Sequence, residues 1–288
     1  MKGPFQYSGN KLFLVDTVAK LINENMPNYK VYVEPFLGSG SIFYNIPFKD
    51  DAKYIINDLD EYVYRMHNSF KSGYSYNQYL KLCDNIKTKF GDIKASKDAY
   101  YAFRDAWNSR YNKTITEEDY FKSGMYLIIL ASSCINSMLR FGPNGMNQSF
   151  GNRSRILTEE EYTNYTSRVN NKYTQLLNKD FYKVFEKLTN SNIDNLVMFM
   201  DPPYATREMT YNKGFDLVKF IDVIKNPKNY PENCLIMYTD KDNEISDTLL
   251  NYGWTKQKIR DMVSTSPNRK QKVEATGEEV MFVLKKGN

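Results

Sequence analysis

Apolar residues follow two rhythms along this chain. In the first, short runs stop abruptly at glycine, proline or an acid. Such runs are Val31 and Val33 in "YKVYVEPFLGSG", the stretch around Tyr54–Ile56 in "AKYIINDLD", "VMFM" before "DPPY", "CLIMYTD", and the closing "EEVMFVLKK". Their lengths, and the breakers that bound them, predict buried strands. In the second rhythm apolar and aromatic residues recur at helical spacing, as in "EYVYRMHNSFK" and "DAYYAFRDAWNSRYN". "YFKSGMYLIILASSCIN" is apolar on most faces and predicts a buried helix, with Thr116 followed by Asp119 as a candidate cap. "TEEEYTNYTSRVNNKYTQLL" reads as a capped helix, and residues 74–135 read mainly as helix. Beyond them "MLRFGPNGMNQSFGNRSR" is dense in Gly, Pro, Asn and Arg, with Pro143, Asn144 and Gly145 as a turn at the tip of a hairpin. Strand, turn and helix alternate on both sides of this middle region. The expectation is therefore an α/β domain on a parallel sheet, in parts 1–73 and 158–288, interrupted by a helical, hairpin-containing insertion at 74–157.

Composition narrows the chemistry more than the fold. The chain has 288 residues, 41% hydrophobic and 25% charged, which suits a globular protein with a sizeable core. No apolar run reaches membrane-spanning length, and "MKGPFQYSGNKLFLV" has neither the apolar core nor the cleavage site of a signal peptide. A cytoplasmic protein without membrane contact is expected. The net charge of +5 permits an acidic partner without requiring one. Cys83, Cys134 and Cys234 lie far apart, so no disulfide framework and no metal site is expected. The single histidine, His67, reads as a surface or partly buried helix residue. Chemistry here is expected to run largely without imidazole, thiolate or metal.

Three short motifs can carry such chemistry. In "EPFLGSG", Gly38 and Gly40 bracket a turn between a strand and a helix, where a ligand can approach the backbone closely. Asp58 follows the next strand, where a carboxylate can accept hydrogen bonds from ribose hydroxyls; by itself it reads equally as a helix N-terminal acid. The spacing GxGxxG is absent, so a nucleoside without a diphosphate is the expected ligand. "DPPY" ends a strand of the same expected sheet, so Asp201 should reach the crevice used by Gly38, Gly40 and Asp58. Pro202 and Pro203 stiffen the loop and offer carbonyl acceptors without N–H donors, and Tyr204 adds an aromatic face. Two acceptors and a ring suit a planar amine such as the exocyclic NH2 of a base.

At this point the chain resembles the Dam-type DNA adenine-N6 methyltransferases. The resemblance rests on "YSGNK" at 7–11, "VEPFLGSGS" at 33–41, "NDLD" at 57–60, "NSMLR" at 136–140, "DF" at 180–181, "DPPY" at 201–204 and "EEVMF", taken in that order. It implies a Rossmann-like sheet, S-adenosylmethionine as methyl donor, no metal, and double-stranded DNA as partner to a monomer or weak dimer. It further implies that Tyr7 and Lys11 hold the cofactor and that Glu34, Phe36, Gly38 and Gly40 face its methionine part. Asp58 would take the ribose, and Asp180 and Phe181 the adenine. Asp201, Pro202, Pro203 and Tyr204 would receive an extruded adenine. Arg140 would read a guanine, with Asn136 and Met138 touching or wedging between bases, and Gln6 and Asn147 on the same DNA-facing side.

The chain also departs from the family pattern. Ser149 stands where relatives often have proline, Ile135 where they often have an aromatic, and Gln6 where some carry a base-contacting lysine. The target sequence therefore stays open. So do two alternatives: methylation of an RNA adenine or a cytosine N4 amine, and a DNA-binding relative without activity.

Overall fold

Strand β6, Leu196–Met200, is buried at every position. An unbroken apolar strand suits the middle of a parallel sheet, where both faces are covered. Its neighbours are β1, Val31–Glu34, and β7, Cys234–Lys241, and both run parallel to it. Beyond β7 the long strand β9, Ala275–Lys286, turns antiparallel, and β8, Thr255–Val263, pairs antiparallel with β9. On the other flank lie β2, Lys53–Asn57, and β5, Thr174–Leu177. The computed structural model describes residues 3–5, 10–111, 116–135, 139–151, 155–203, 215–263 and 275–287. Among the described residues the strand order is β5-β2-β1-β6-β7-β9-β8. From β1 the chain steps outward through β2 to β5, then returns to lay β6 against β1.

The helices are α1 (Val15–Asn25), α2 (Glu61–Asn68), α3 (Tyr76–Phe90), α4 (Lys97–Tyr111), α5 (Glu117–Ser133), α6 (Glu159–Asn170), α7 (Phe181–Thr189), α8 (Leu217–Ile224) and α9 (Glu244–Asp247). The expected hairpin is present as β3, Phe141–Gly142, and β4, Gly145–Met146, with Pro143 and Asn144 at its tip. Among the described residues no helix is long and apolar enough to cross a membrane.

Three details differ from the sequence reading. Thr116 occupies the cap position of α5, but its side chain makes no capping bond. The helix after Thr158 has its capping box with Glu161 but stops at Asn170, and "TQLL" is a strand of its own. Strand β8 carried no apolar run; its partner β9 supplies the pairing.

The chain divides into two compact units. One comprises Met1–Ala19, Leu37–Asp51 and Ile55–Asp180. Its centre is aromatic, with Tyr44, Phe70 and Tyr165 fully buried. The other comprises Lys20–Phe36, Ala52–Tyr54 and Phe181–Asn288. It contains β1, β6, β7, β8 and β9, and α7 packs on it through Phe181, Val184, Phe185 and Leu188, one turn apart along a single face.

Candidate active site

In the first unit the glycine turn and the acid after β2 are joined. Gly38 and Gly40 both adopt left-handed backbone, at φ 51° and 68°. The Gly38 N–H donates to Asp58 Oδ2 at 2.8 Å, and the Asp60 N–H donates to Asp58 Oδ1 at 2.9 Å. Each carboxylate oxygen thus keeps a lone pair, and two such directions suit a vicinal diol. Asp58 retains partial exposure at its edge. Even so, burial, reinforced by the neighbouring Asp60 carboxylate, pushes its pKa up to about 7 against the pull of the two N–H donors. Asp60, not Asp58, is the N-cap of α2, accepting from the N–H groups of Tyr62 and Val63 at 2.7 and 3.3 Å. The reading of Asp58 as a helix-capping acid is therefore set aside.

Asp180 is brought to the same end of the unit by the residues beside it. The Asn57 side chain donates to the Lys179 carbonyl and accepts from the Lys179 N–H, both at 2.9 Å. Asn178 Nδ2 donates to the carbonyls of Asp58 and Leu59 at 2.8 and 3.0 Å. Lys11 is 5% exposed, and its backbone N–H donates to Ser41 Oγ at 3.1 Å, which fastens the N-terminal motif to the glycine turn.

His67 corrects the sequence reading. It is fully buried, and burial lowers its pKa to about 4. Its ring nitrogens meet the Gly38 carbonyl at 2.8 Å and the Tyr44 hydroxyl at 3.0 Å.

In the second unit the ends of β1 and β6 lie side by side, with Val33 opposite Met198. Glu34, 2% exposed, closes β1 and accepts from the Tyr32 hydroxyl at 2.7 Å. The Phe36 ring stacks on Phe181 at 5.1 Å, and both rings pack against Phe220. Asp201 follows β6, and the Thr239 hydroxyl of β7 donates to its Oδ1 at 2.9 Å. Pro202 is buried and Pro203 exposed. A hydroxyl on the neighbouring strand thus fixes the carboxylate at a stiff strand end.

The β3–β4 hairpin belongs to the first unit. Arg140 and Asn147 face each other at its mouth, joined by Arg140 Nε donating to Asn147 Oδ1 at 2.8 Å, and both are exposed. Asn108 of α4 exchanges two hydrogen bonds with the Met146 backbone, at 2.8 and 2.9 Å. Phe141 stacks face to face on Tyr62 of α2, with ring centroids 3.7 Å apart. The expected site residues Gln6, Tyr7, Asn136, Met138 and Tyr204 lie outside the described residues.

Sequence reasoning missed Thr239, His67, Tyr44 and Asn108. Thr239 sits in "YTD" at the end of an expected strand, where a hydroxyl two residues from the terminus was the available signal.

The chain is also similar to known proteins. Over 284 residues the chain is 26% identical to the DNA adenine methylase of Haemophilus influenzae, spanning 94% of this chain and 91% of that protein. It is 27% identical to the type II methyltransferase M.MjaIII of Methanocaldococcus jannaschii, over 66% of this chain and 65% of that one. Against the Escherichia coli DNA adenine methylase it is 24% identical, over 72% of this chain and 66% of the relative. Among solved structures, a precorrin-6y C5,15-methyltransferase from Geobacter metallireducens matches at a TM-score of 0.36 and 8% identity, covering 97% of this chain and 93% of that one. A likeness that loose adds nothing to the strand order itself. The family model for D12 class N6 adenine-specific DNA methyltransferases matches residues 7–261, nearly the whole chain. This chain belongs to that family and is an S-adenosylmethionine-dependent DNA methyltransferase that acts on adenine.

Proposed function

We propose that the protein methylates the N6 amine of adenine at a specific site in duplex DNA, and that the base is turned out of the helix to reach Asp201. The observation that supports this most is the end of β6, where the Asp201 carboxylate is fixed by the Thr239 hydroxyl and followed by two prolines. The N6 lone pair is delocalised into the adenine ring and attacks poorly. Hydrogen bonds from the amine to Asp201 Oδ2 and to the Pro202 carbonyl would draw it toward a tetrahedral nitrogen. They would also stabilise the positive charge that develops there. Tyr204 would stack on the extruded base, and Pro203 would keep the loop stiff. S-adenosylmethionine supplies an activated methyl group, so in-line placement carries much of the rate.

The residues of the first unit fit a nucleoside with an amino-acid tail. Asp58 would hold the ribose diol through its remaining lone pairs. Asp180 would lie toward the adenine, and Gly38, Gly40 and Lys11 toward the methionine part, with Tyr7 beside them. In the second unit Phe181 would contact the adenine, and Glu34 and Phe36 the methionine end. Residues 74–157 would read the target: Arg140 a guanine, with Asn147, Asn136, Met138 and Gln6 nearby. A cytoplasmic monomer or weak dimer acting on double-stranded DNA completes the reading.

Labelled S-adenosylmethionine incubated with duplex DNA of varied sequence tests this. Label should appear on adenine N6 within one short motif. Label on cytosine or only on RNA, or DNA binding without transfer, would overturn it. Arg140→Ala should lower discrimination at one base pair by about 1–3 kcal/mol, measured as a ratio of kcat/KM values between cognate and substituted sites. Uniformly weaker binding with unchanged preference would make Arg140 a phosphate contact.

A further inference from the structure

His67 is the chain's single histidine, it is fully buried, and no step above uses it. Burying an imidazole is costly unless both nitrogens find partners, and an aromatic hydrocarbon would fill the same space without that cost. Both nitrogens here have partners. Nε2 lies 2.8 Å from the Gly38 carbonyl, an oxygen that can only accept, so Nε2 carries the proton. Nδ1 then accepts from the Tyr44 hydroxyl at 3.0 Å, which fixes the tautomer.

The other side of Gly38 is held as well, since its N–H donates to Asp58 Oδ2. One glycine thus has its N–H tied to the proposed ribose acid and its carbonyl tied to His67. A trans peptide is planar, with its C=O and N–H pointing opposite ways. By drawing the Gly38 carbonyl inward, His67 turns the Ser39 N–H away from itself. The two rings also form the floor of the turn. A Cβ placed on Gly40 would come within 2.6 Å of the Tyr44 ring and 3.1 Å of His67. Phe5, just ahead of the N-terminal motif, packs on the same imidazole at 5.1 Å.

We infer that His67 is a positioning residue for S-adenosylmethionine: its imidazole, oriented by Tyr44, locks the Gly38–Ser39 peptide in the orientation that receives the methionine part of the ligand. The inference rests on the reading that this glycine turn holds that ligand. Phe5 and the glycine turn share this one support, so the ring organises two cofactor motifs that are distant in sequence.

The untagged full chain tests this directly, because its one histidine gives one imidazole Cε1–H resonance. Saturation with S-adenosylhomocysteine should shift that resonance, and calorimetry gives the affinity. His67→Phe should weaken binding about tenfold or more, while kcat at saturating S-adenosylmethionine stays within about twofold. His67→Gln can present an N–H to the same carbonyl and should return the affinity to within about threefold of wild type. An unmoved resonance would overturn the inference. So would His67→Phe with wild-type affinity, or equal thermal destabilisation of both variants with unchanged affinity. If His67→Phe does not fold, Tyr44→Phe takes its place. Binding weakened about threefold to fivefold supports the orientation of the ring by Tyr44, and unchanged binding overturns it. Wild-type protein that transfers methyl groups but binds no S-adenosylhomocysteine at this turn would instead sink the cofactor reading on which the inference stands.

Discussion

Asp58 and Asp201 both follow a strand of the same sheet, and the chain holds them by opposite means. Asp58 is gripped by two backbone N–H groups, from Gly38 and Asp60, with a second carboxylate beside it. Asp201 is gripped by a side-chain hydroxyl from the next strand, and the prolines after it have no N–H to give. The first arrangement leaves a carboxyl poised near neutrality, so its charge can respond to a ligand. The second leaves an acceptor whose position is set from the neighbouring strand. The acid proposed to bind hydroxyls and the acid proposed to meet an amine are thus set apart by their donors.

The largest test of this contrast is Asp201→Ala. It should reduce kcat by about a thousandfold or more with DNA affinity retained, because the acceptor acts in the transition state; single-turnover transfer measures it. Asp58→Ala should instead weaken S-adenosylmethionine binding by about a hundredfold and leave kcat at saturation nearly intact, read as a KM effect. Equal losses in kcat for the two variants would erase the contrast.

Acidity sharpens it further. With Asp58 at about 7 in the ligand-free protein, the carboxyl is mostly protonated at pH 6 and mostly ionised at pH 8. Hydroxyl donors favour the ionised form, so affinity should fall by about tenfold from pH 8 to pH 6. In Asp58→Asn that slope should vanish. The same raised pKa makes the folded apoprotein hold a proton that the unfolded chain has released. This contribution to stability is complete below about 3.8 and lost as pH rises through about 7. His67 runs the other way: its contribution is present above 6.5 and lost as pH falls through about 4. Thr239→Val tests the Asp201 side of the contrast more gently, with an expected loss of about threefold to tenfold in kcat and unchanged cofactor affinity.

The parts of this molecule legible in sequence are those with local causes. The run ending at Met200, the glycine turn, the proline pair and the Pro143–Asn144–Gly145 turn each announce themselves within a few residues. Strand β5 did not, because "TQLL" is short and continues a helical spacing. Strand β8 did not either: it is an edge strand carrying Lys256, Lys258 and Arg260, whose charges suit an open edge and conceal the strand. Thr239 and His67 have partners 38 and 29 residues away; a hydroxyl near a strand end was the one local hint of the first, and nothing local signalled the second. His67 reads as an ordinary helix residue until Gly38 is placed above it.

The Tyr62–Phe141 stack bears on how such enzymes could exchange targets. Tyr62 opens α2 just after the acidic turn, and Phe141 opens the hairpin that carries Arg140 and Asn147. If the hairpin reads DNA as proposed, one transplanted from a relative would bring its own DNA-facing side chains but dock against a ring left behind in the host. Successful chimaeras should therefore carry the aromatic pair together, and a graft that splits it should need a compensating ring before it regains selectivity.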